Sequence, residues 1–213
     1  PADGLEHHES YHRSTGKVKL YPAFRPDKSF SIENPDNYKT YLAKLESVVG
    51  FQITSFDKLI EALSMRIDFF HSRGCRLSDH GLEKLVFSSE TKLSADGILV
   101  KVLRGSTPST EEVEYFKFKV LKKLCKMYHA KGWVQQFHLG ALRNTNARML
   151  RILGPDTGFD SIGDFDQAKA LASFLNELDS SDQLTKTVIY NLNPRDNDCL
   201  LYTSPSPRDR TRS

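Results

Sequence analysis

With 213 residues, 38% of them hydrophobic and 27% charged, the chain reads as a soluble globular protein of one domain or one barrel. Thirty Lys+Arg against 27 Asp+Glu leave a net charge of +3, too balanced for a nucleic-acid footprint and too weak for a membrane patch. No run of about 18 apolar residues occurs, and no charged segment followed by an apolar one opens the chain, so neither a membrane span nor a secretory signal is expected. Cys75, Cys125 and Cys199 are too few and too scattered for a disulfide framework or a zinc knuckle, which points to a reducing, cytoplasmic setting.

Taken in chain order, the pattern alternates strands and helices. Lys17 to Tyr21 alternates polar and apolar residues and ends at Pro22, which predicts a strand. Phe56, Leu59, Ile60, Leu63, Ile67 and Phe70 recur at helical spacing, with Ser55 as N-cap and Gly74 as stop. Cys75-Arg76-Leu77 follows as a short strand, then the polar Ser78-Asp79-His80-Gly81. Residues 110–131 form the strongest helix, with Val113, Phe116, Val120, Leu124 and Met127 in one stripe and Glu111 and Glu112 near its start. Trp133 to Phe137 is a strand running into His138, residues 165–178 are helical, and Thr187 to Tyr190 is the last strand. Such an order with long helical connections is the pattern of parallel βαβ units.

Each predicted strand ends in a polar cluster: Arg25 to Lys28, Ser78 to His80, His138 to Asn144, and Asn193 to Asn197. Four loaded strand ends favour a (β/α)8 barrel, in which these ends build the site, over a doubly wound sheet. No GxGxxG fingerprint supports a dinucleotide. Arg25 is a natural anchor for an anion, its alternative being a salt bridge to Asp27. His138 precedes Gly140, where backbone can approach a ligand. Asp79 and His80 are neighbours on an extended chain and point opposite ways, so one of them is expected at the mouth. Arg143 and Asn144 offer a second anion-binding pair. His7, His8 and His12 read as surface.

The tail differs from the rest. Residues 199–213 have no period, and Arg208, Arg210 and Arg212 against Asp209 account for two of the three net positive charges. Composition alone predicts a disordered Ser/Pro/Arg tail. The string also resembles a translated sequencing adapter, which leaves 1–198 as the informative chain, a piece expected to be cut at both ends.

Five motifs carry a resemblance: AFRPDK (Ala23–Lys28), GCRLSDH (Gly74–His80), WVQQFHLGALRN (Trp133–Asn144), LGPDTGFDSI (Leu153–Ile162) and LNPRDN (Leu192–Asn197). Together they resemble the uronate (glucuronate) isomerase family of the amidohydrolase superfamily across nearly all of 1–198. The resemblance implies an α/β fold, a partial (β/α)8 TIM barrel holding about strands 4 to 7. It implies aldose–ketose isomerisation of hexuronates through an enediol, D-glucuronate to D-fructuronate and D-galacturonate to D-tagaturonate, in bacterial sugar-acid catabolism. It further implies zinc in the intact parent, on an HxH pair and an Asp that this chain lacks, so no metal is expected here. A homo-oligomeric parent is compatible with it. Arg25 matches the arginine expected on the substrate carboxylate, with Arg143, Asn144 and Arg195 as further substrate-binding candidates. His138, and Asp79 or His80, are the catalytic candidates. Two alternatives stay open: another metal-dependent hydrolase of the superfamily, and a non-catalytic half-barrel.

Overall fold

A computed structural model describes residues 1–13, 18–88 and 92–203. In chain order these form α1 (Glu6–Arg13), a 3-10 turn (Asp27–Ser29), α2 (Pro35–Val49), α3 (Phe56–Ser72), β1 (Leu77–Leu82), α4 (Ala95–Leu103) and α5 (Thr110–Ala130). There follow β2 (Val134–Leu139), β3 (Ala141–Leu142), α6 (Ala147–Leu153), β4 (Ser161–Ile162), α7 (Ala168–Asp179), β5 (Thr187–Asn191), a second 3-10 turn (Pro194–Asp196) and α8 (Asn197–Thr203).

Local chemistry sets the helix ends. Ser55 caps α3 by accepting from the Lys58 amide, as its spacing predicts. Ser109 and Glu112 form a reciprocal capping box on α5, which satisfies two amides that otherwise lack a partner. Helix α2, not among the predicted elements, has local end signals too: Asn34 accepts from two of its first amides, Pro35 starts it, and Gly50 ends it at φ 82°. Caps of this kind are worth about 1 kcal/mol each.

The main sheet is parallel throughout, in the order β1-β2-β5. Phe24 extends it on the β1 side as a single parallel bridge to Ser78. The predicted strand at 17–22 is therefore corrected: Val18, Leu20 and Tyr21 are exposed outside any strand, and Lys17 lies outside the described residues. Pro22 lacks an N–H, and pairing begins only at Phe24, whose amide donates to Leu77 and whose carbonyl accepts from Asp79. β1 also lies further along the chain than predicted: it begins at Leu77, after Cys75 and Arg76, and Ser78, Asp79 and His80 belong to the strand and not to a loop after it. His138 likewise lies inside β2. A short antiparallel pair, β3 with β4, interrupts the path from β2 to α7.

Helices α3, α5 and α7 pack on the same face of this sheet, through Phe70, Tyr128 and Phe174. Trp133 stacks on Tyr128 with ring centroids 5.7 Å apart, and Phe24 meets both edge-on together with Phe70. Such pairs add about 0.5–1.5 kcal/mol each beyond their buried area. Gln167, fully buried at the start of α7, accepts from the Leu85 amide and donates to the Glu83 carbonyl. It thereby ties the chain leaving β1 to a helix more than 80 residues away.

The expectation of a disordered tail from Cys199 is corrected for residues 199–203, which are helical in α8, with Leu200 half-buried against the core. Residues 204–213 lie outside the described residues.

Candidate functional site

Strand period and register sort the polar residues onto two faces. Asp79 stands opposite Gln136, which stands opposite Val188; Gly81, His138 and Tyr190 align one pair further on. The alternate residues Ser78, His80, Gln135, Phe137 and Leu139 are buried under the helices. Asp79, Gln136, His138 and Tyr190 thus share the open face, toward the strands' C-terminal ends.

On that face Asp79 is the hub. Its Oδ1 accepts from Gln136 Nε2 at 2.9 Å and lies 3.0 Å from His138 Nε2, and its Oδ2 lies 3.2 Å from Arg25 Nη1. His138 stacks on Tyr190 with centroids 4.4 Å apart and planes 9° from parallel, and its side chain stays 45% exposed. An accessible imidazole backed by a carboxylate can take up a proton, because the carboxylate stabilises the imidazolium that forms. Arg25 reaches this place by crossing Gly81, where a Cβ would lie 2.2 Å from Nη2. Any side chain there would push the guanidinium away.

The chain beyond β2 supplies the rim. Gly140 turns at φ 95° and β3 and β4 bring Arg143 against Asp160 as an ion pair. Asn144, at φ 54°, donates its amide to the other Asp160 oxygen at 3.0 Å. That amide and the Arg143 guanidinium hold the exposed Asp160 carboxyl below the usual carboxylate range. Between sheet and rim lies a cavity of about 400 Å³ lined by Arg25, His138, Arg143, Asp160, Tyr190 and Leu192 among others. That volume suits a small ligand. A larger opening of about 500 Å³ lies on the far side of Asp27. It contains none of His138, Arg143 or Tyr190, and its Lys84 and Lys117 are paired with Glu114 and Glu33. The smaller cavity is the one with convergent chemistry.

Beneath Arg25 is a buried chain of contacts. Asp27 Oδ2 accepts from Arg25 Nε at 3.3 Å and from the Gly81 amide at 2.8 Å, and its Oδ1 lies 2.8 Å from His80 Nδ1. His80 Nε2 lies 3.3 Å from the Tyr128 hydroxyl, and the His80 ring stacks on Phe137 and Phe30. Burial would push the Asp27 carboxyl up; the hydrogen bond and charge of His80, the Gly81 amide and Arg25 outweigh it and hold the group below its ordinary value. In contrast, burial drives the Tyr128 hydroxyl well above its ordinary value, so it stays a neutral partner.

Among the residues singled out from sequence, Arg25, His138 and Arg143 line one cavity. Asp79 stands behind two of them, with Asn144 at the rim. His80 is on the other face and fully buried, so it touches no ligand in this cavity. Arg195 also stands apart. Its Nη1 lies 3.3 Å from Asp164 Oδ1 and its side chain is 71% exposed, because Asn193 accepts from the Arg195 amide and starts a 3-10 turn that carries residue 195 outward. Gln136, Tyr190 and Asp160 join the cluster without having been singled out from sequence, and the salt bridge of Arg25 to Asp27, given there as its alternative role, is present at 3.3 Å. Period two along β2 already places Gln136 beside His138; Tyr190 and Asp160 carry no local signal, because their neighbours come from other elements. Among the described residues no three His, Cys, Asp or Glu side chains converge as a metal-binding group, and no helix is long and apolar enough to cross a membrane.

The sequence profile of the glucuronate isomerase family matches residues 1–206. The chain belongs to the glucuronate isomerase family. It is 52% identical over 200 residues to the uronate isomerase of Flavobacterium johnsoniae, which covers 94% of this chain and 43% of that protein. To the uronate isomerase of Phocaeicola vulgatus it is 45% identical over the same length and shares. The crystal structure of uronate isomerase from Thermotoga maritima superposes with a TM-score of 0.85 at 29% identity, covering 92% of this chain and 43% of that one. Glucuronate isomerase from Caulobacter crescentus shares the fold, with a TM-score of 0.81. As a member of the glucuronate isomerase family, the chain spans about 43% of the length of these curated relatives.

Proposed function

We propose that this chain supplies about strands 4 to 7 of a (β/α)8 barrel and part of the site of a cytoplasmic hexuronate aldose–ketose isomerase. The observation that carries the reading is the Arg25–Asp79–His138 cluster at the C-terminal ends of parallel strands, beside a cavity of about 400 Å³. Moving hydrogen between C2 and C1 through an enediol needs a proton acceptor near C2, a group polarising the carbonyl and an anchor for the C6 carboxylate. His138, backed by Asp79, is the proton acceptor in this reading. The Arg25 and Arg143 guanidinium groups hold the carboxylate, Arg143 exchanging Asp160 for the sugar acid. Asn144 keeps the rim in place through Asp160. Arg195, paired with Asp164 at the edge, is left as a contact to an extended ligand only.

The residues present do not fit a metal by themselves. Asp79 and His138 make two donors, with His138 Nε2 already directed at Asp79. Zinc in the intact relatives would take its ligands from elsewhere, and no step above runs through it.

The test is conversion of D-glucuronate and D-galacturonate to their ketouronates, assayed for the 213-residue chain beside a protein extended to the relatives' length. We expect turnover only in the extended protein, because misplacing one reacting group already costs about 100-fold. In the extended protein, His138→Ala should remove turnover while Arg25→Ala should mainly raise KM. An active His138→Ala variant would overturn the assignment of the proton acceptor.

A further inference from the structure

We infer that His80 is a positioning residue for the uronate site: acting through Asp27 from the buried side of the sheet, it fixes the direction in which Arg25 presents its guanidinium to the cavity. The inference rests on the functional reading above for its ligand, but its geometry does not. Arg25 is half-exposed and sits at the end of a long flexible side chain, which by itself would sample many rotamers. Two carboxylates restrain it, Asp27 at Nε and Asp79 at Nη1. The Asp79 restraint is shared with His138 and Gln136, so it is loaded by groups that face the ligand. The Asp27 restraint is loaded only from within. One oxygen takes the Gly81 amide as well as Arg25, and the other is held by His80 Nδ1.

His80 in turn has no freedom. Its ring is clamped between Phe137 and Phe30, it is fully buried, and its second nitrogen meets Tyr128. The Tyr128 ring stacks on Trp133, so the line from Arg25 ends among fully buried rings of the core. A buried imidazole placed only for packing would need no carboxylate; a phenylalanine would fill the same space among these rings. The contact at 2.8 Å between His80 and Asp27, 53 residues apart in sequence, makes sense as orientation of the group that Asp27 holds on its other side.

Two substitutions separate this role from packing. An asparagine amide can stand where Nδ1 stands and keep the bond to Asp27, whereas a glutamine amide reaches toward the Nε2 position and leaves Asp27 loose. The 213-residue chain is labelled with 15N and the Arg25 Nε–H signal, assigned by its loss in Arg25→Lys, is followed without ligand. We expect protection from solvent exchange in the wild type and in His80→Asn, and its loss in His80→Gln at a comparable Tm. Affinity for D-glucuronate should fall about tenfold in His80→Gln and stay within about threefold in His80→Asn, the range expected for a charge-assisted bond lost or kept. An Arg25 signal that survives His80→Gln, or that is lost equally in both variants, would overturn the inference. Where His80→Gln does not fold, Asp27→Asn reads the same line from its middle, and an Arg25 signal unchanged there overturns it too. Failure of the wild type to bind D-glucuronate would count against the functional reading alone, since the exchange measurement needs no uronate.

Discussion

The two faces of β1 carry neighbouring residues with opposite fates. His80, on the helix side, is wholly buried among Phe30, Phe137 and Tyr128, while Asp79, one residue earlier, looks onto an open cavity beside Arg25 and His138. Each is bonded to a charged or titratable partner, yet the surroundings differ. On the buried face the contacts of His80 are backed by close-packed rings, which cannot shift without opening a void. On the open face the contacts are backed by solvent and by a rim in which Arg143 and the Asn144 amide meet the exposed Asp160. Stability therefore belongs to the first face, and exchange of partners with a ligand to the second.

Truncating one residue on each face of β2 should separate the two faces most widely. Phe137→Ala should cost about 3–5 kcal/mol, since Phe137 is fully buried against His80 and Phe174. His138→Ala should cost under about 1 kcal/mol, since the side chain is half-exposed and pairs with a carboxylate near the surface. Urea unfolding of the two variants measures both, and equal losses would show that the open face is part of the core.

Gly81 sits where the faces meet. A methyl group there would lie 2.2 Å from Arg25 Nη2, which is the far end of a flexible side chain and can give way. Gly81→Ala should thus change stability by less than about 1 kcal/mol while weakening uronate binding about tenfold, read by calorimetric titration. Retained affinity would mean that Arg25 does not need its present path.

The smallest expected effect is an acid-limb difference. Asp27 is held below its ordinary value in the folded chain, so its carboxylate adds stability that is complete above the unfolded carboxylate range, about pH 4, and is lost as pH falls through the depressed folded value. Asp27→Asn lacks that titration. Its unfolding free energy should lie below that of the wild type at neutral pH, and the two curves should converge as pH drops below about 4. Parallel curves would place the linkage on another carboxylate.

Much of the architecture was legible from the residues. Ser55 before α3, Glu111 and Glu112 at the start of α5, and the 3.6-residue stripes marked these two helices because their causes are local. The motifs around Arg25, Asp79 and His138 marked the family, and alternation along a strand required Asp79 and His80 to part company. Alternation does not say which of the two meets the ligand. That was decided by which face of the sheet α3, α5 and α7 cover, and so by packing between elements tens of residues apart. The strand predicted at 17–22 failed for the same reason: a period-two pattern makes a strand only where a neighbour offers hydrogen bonds, and the neighbour met the chain at Phe24. Arg195 stands beside the expected site in sequence but is turned outward by the cap at Asn193. Local spacing determined the elements, and only tertiary contacts, through burial and register, determined which polar side chains share a cavity.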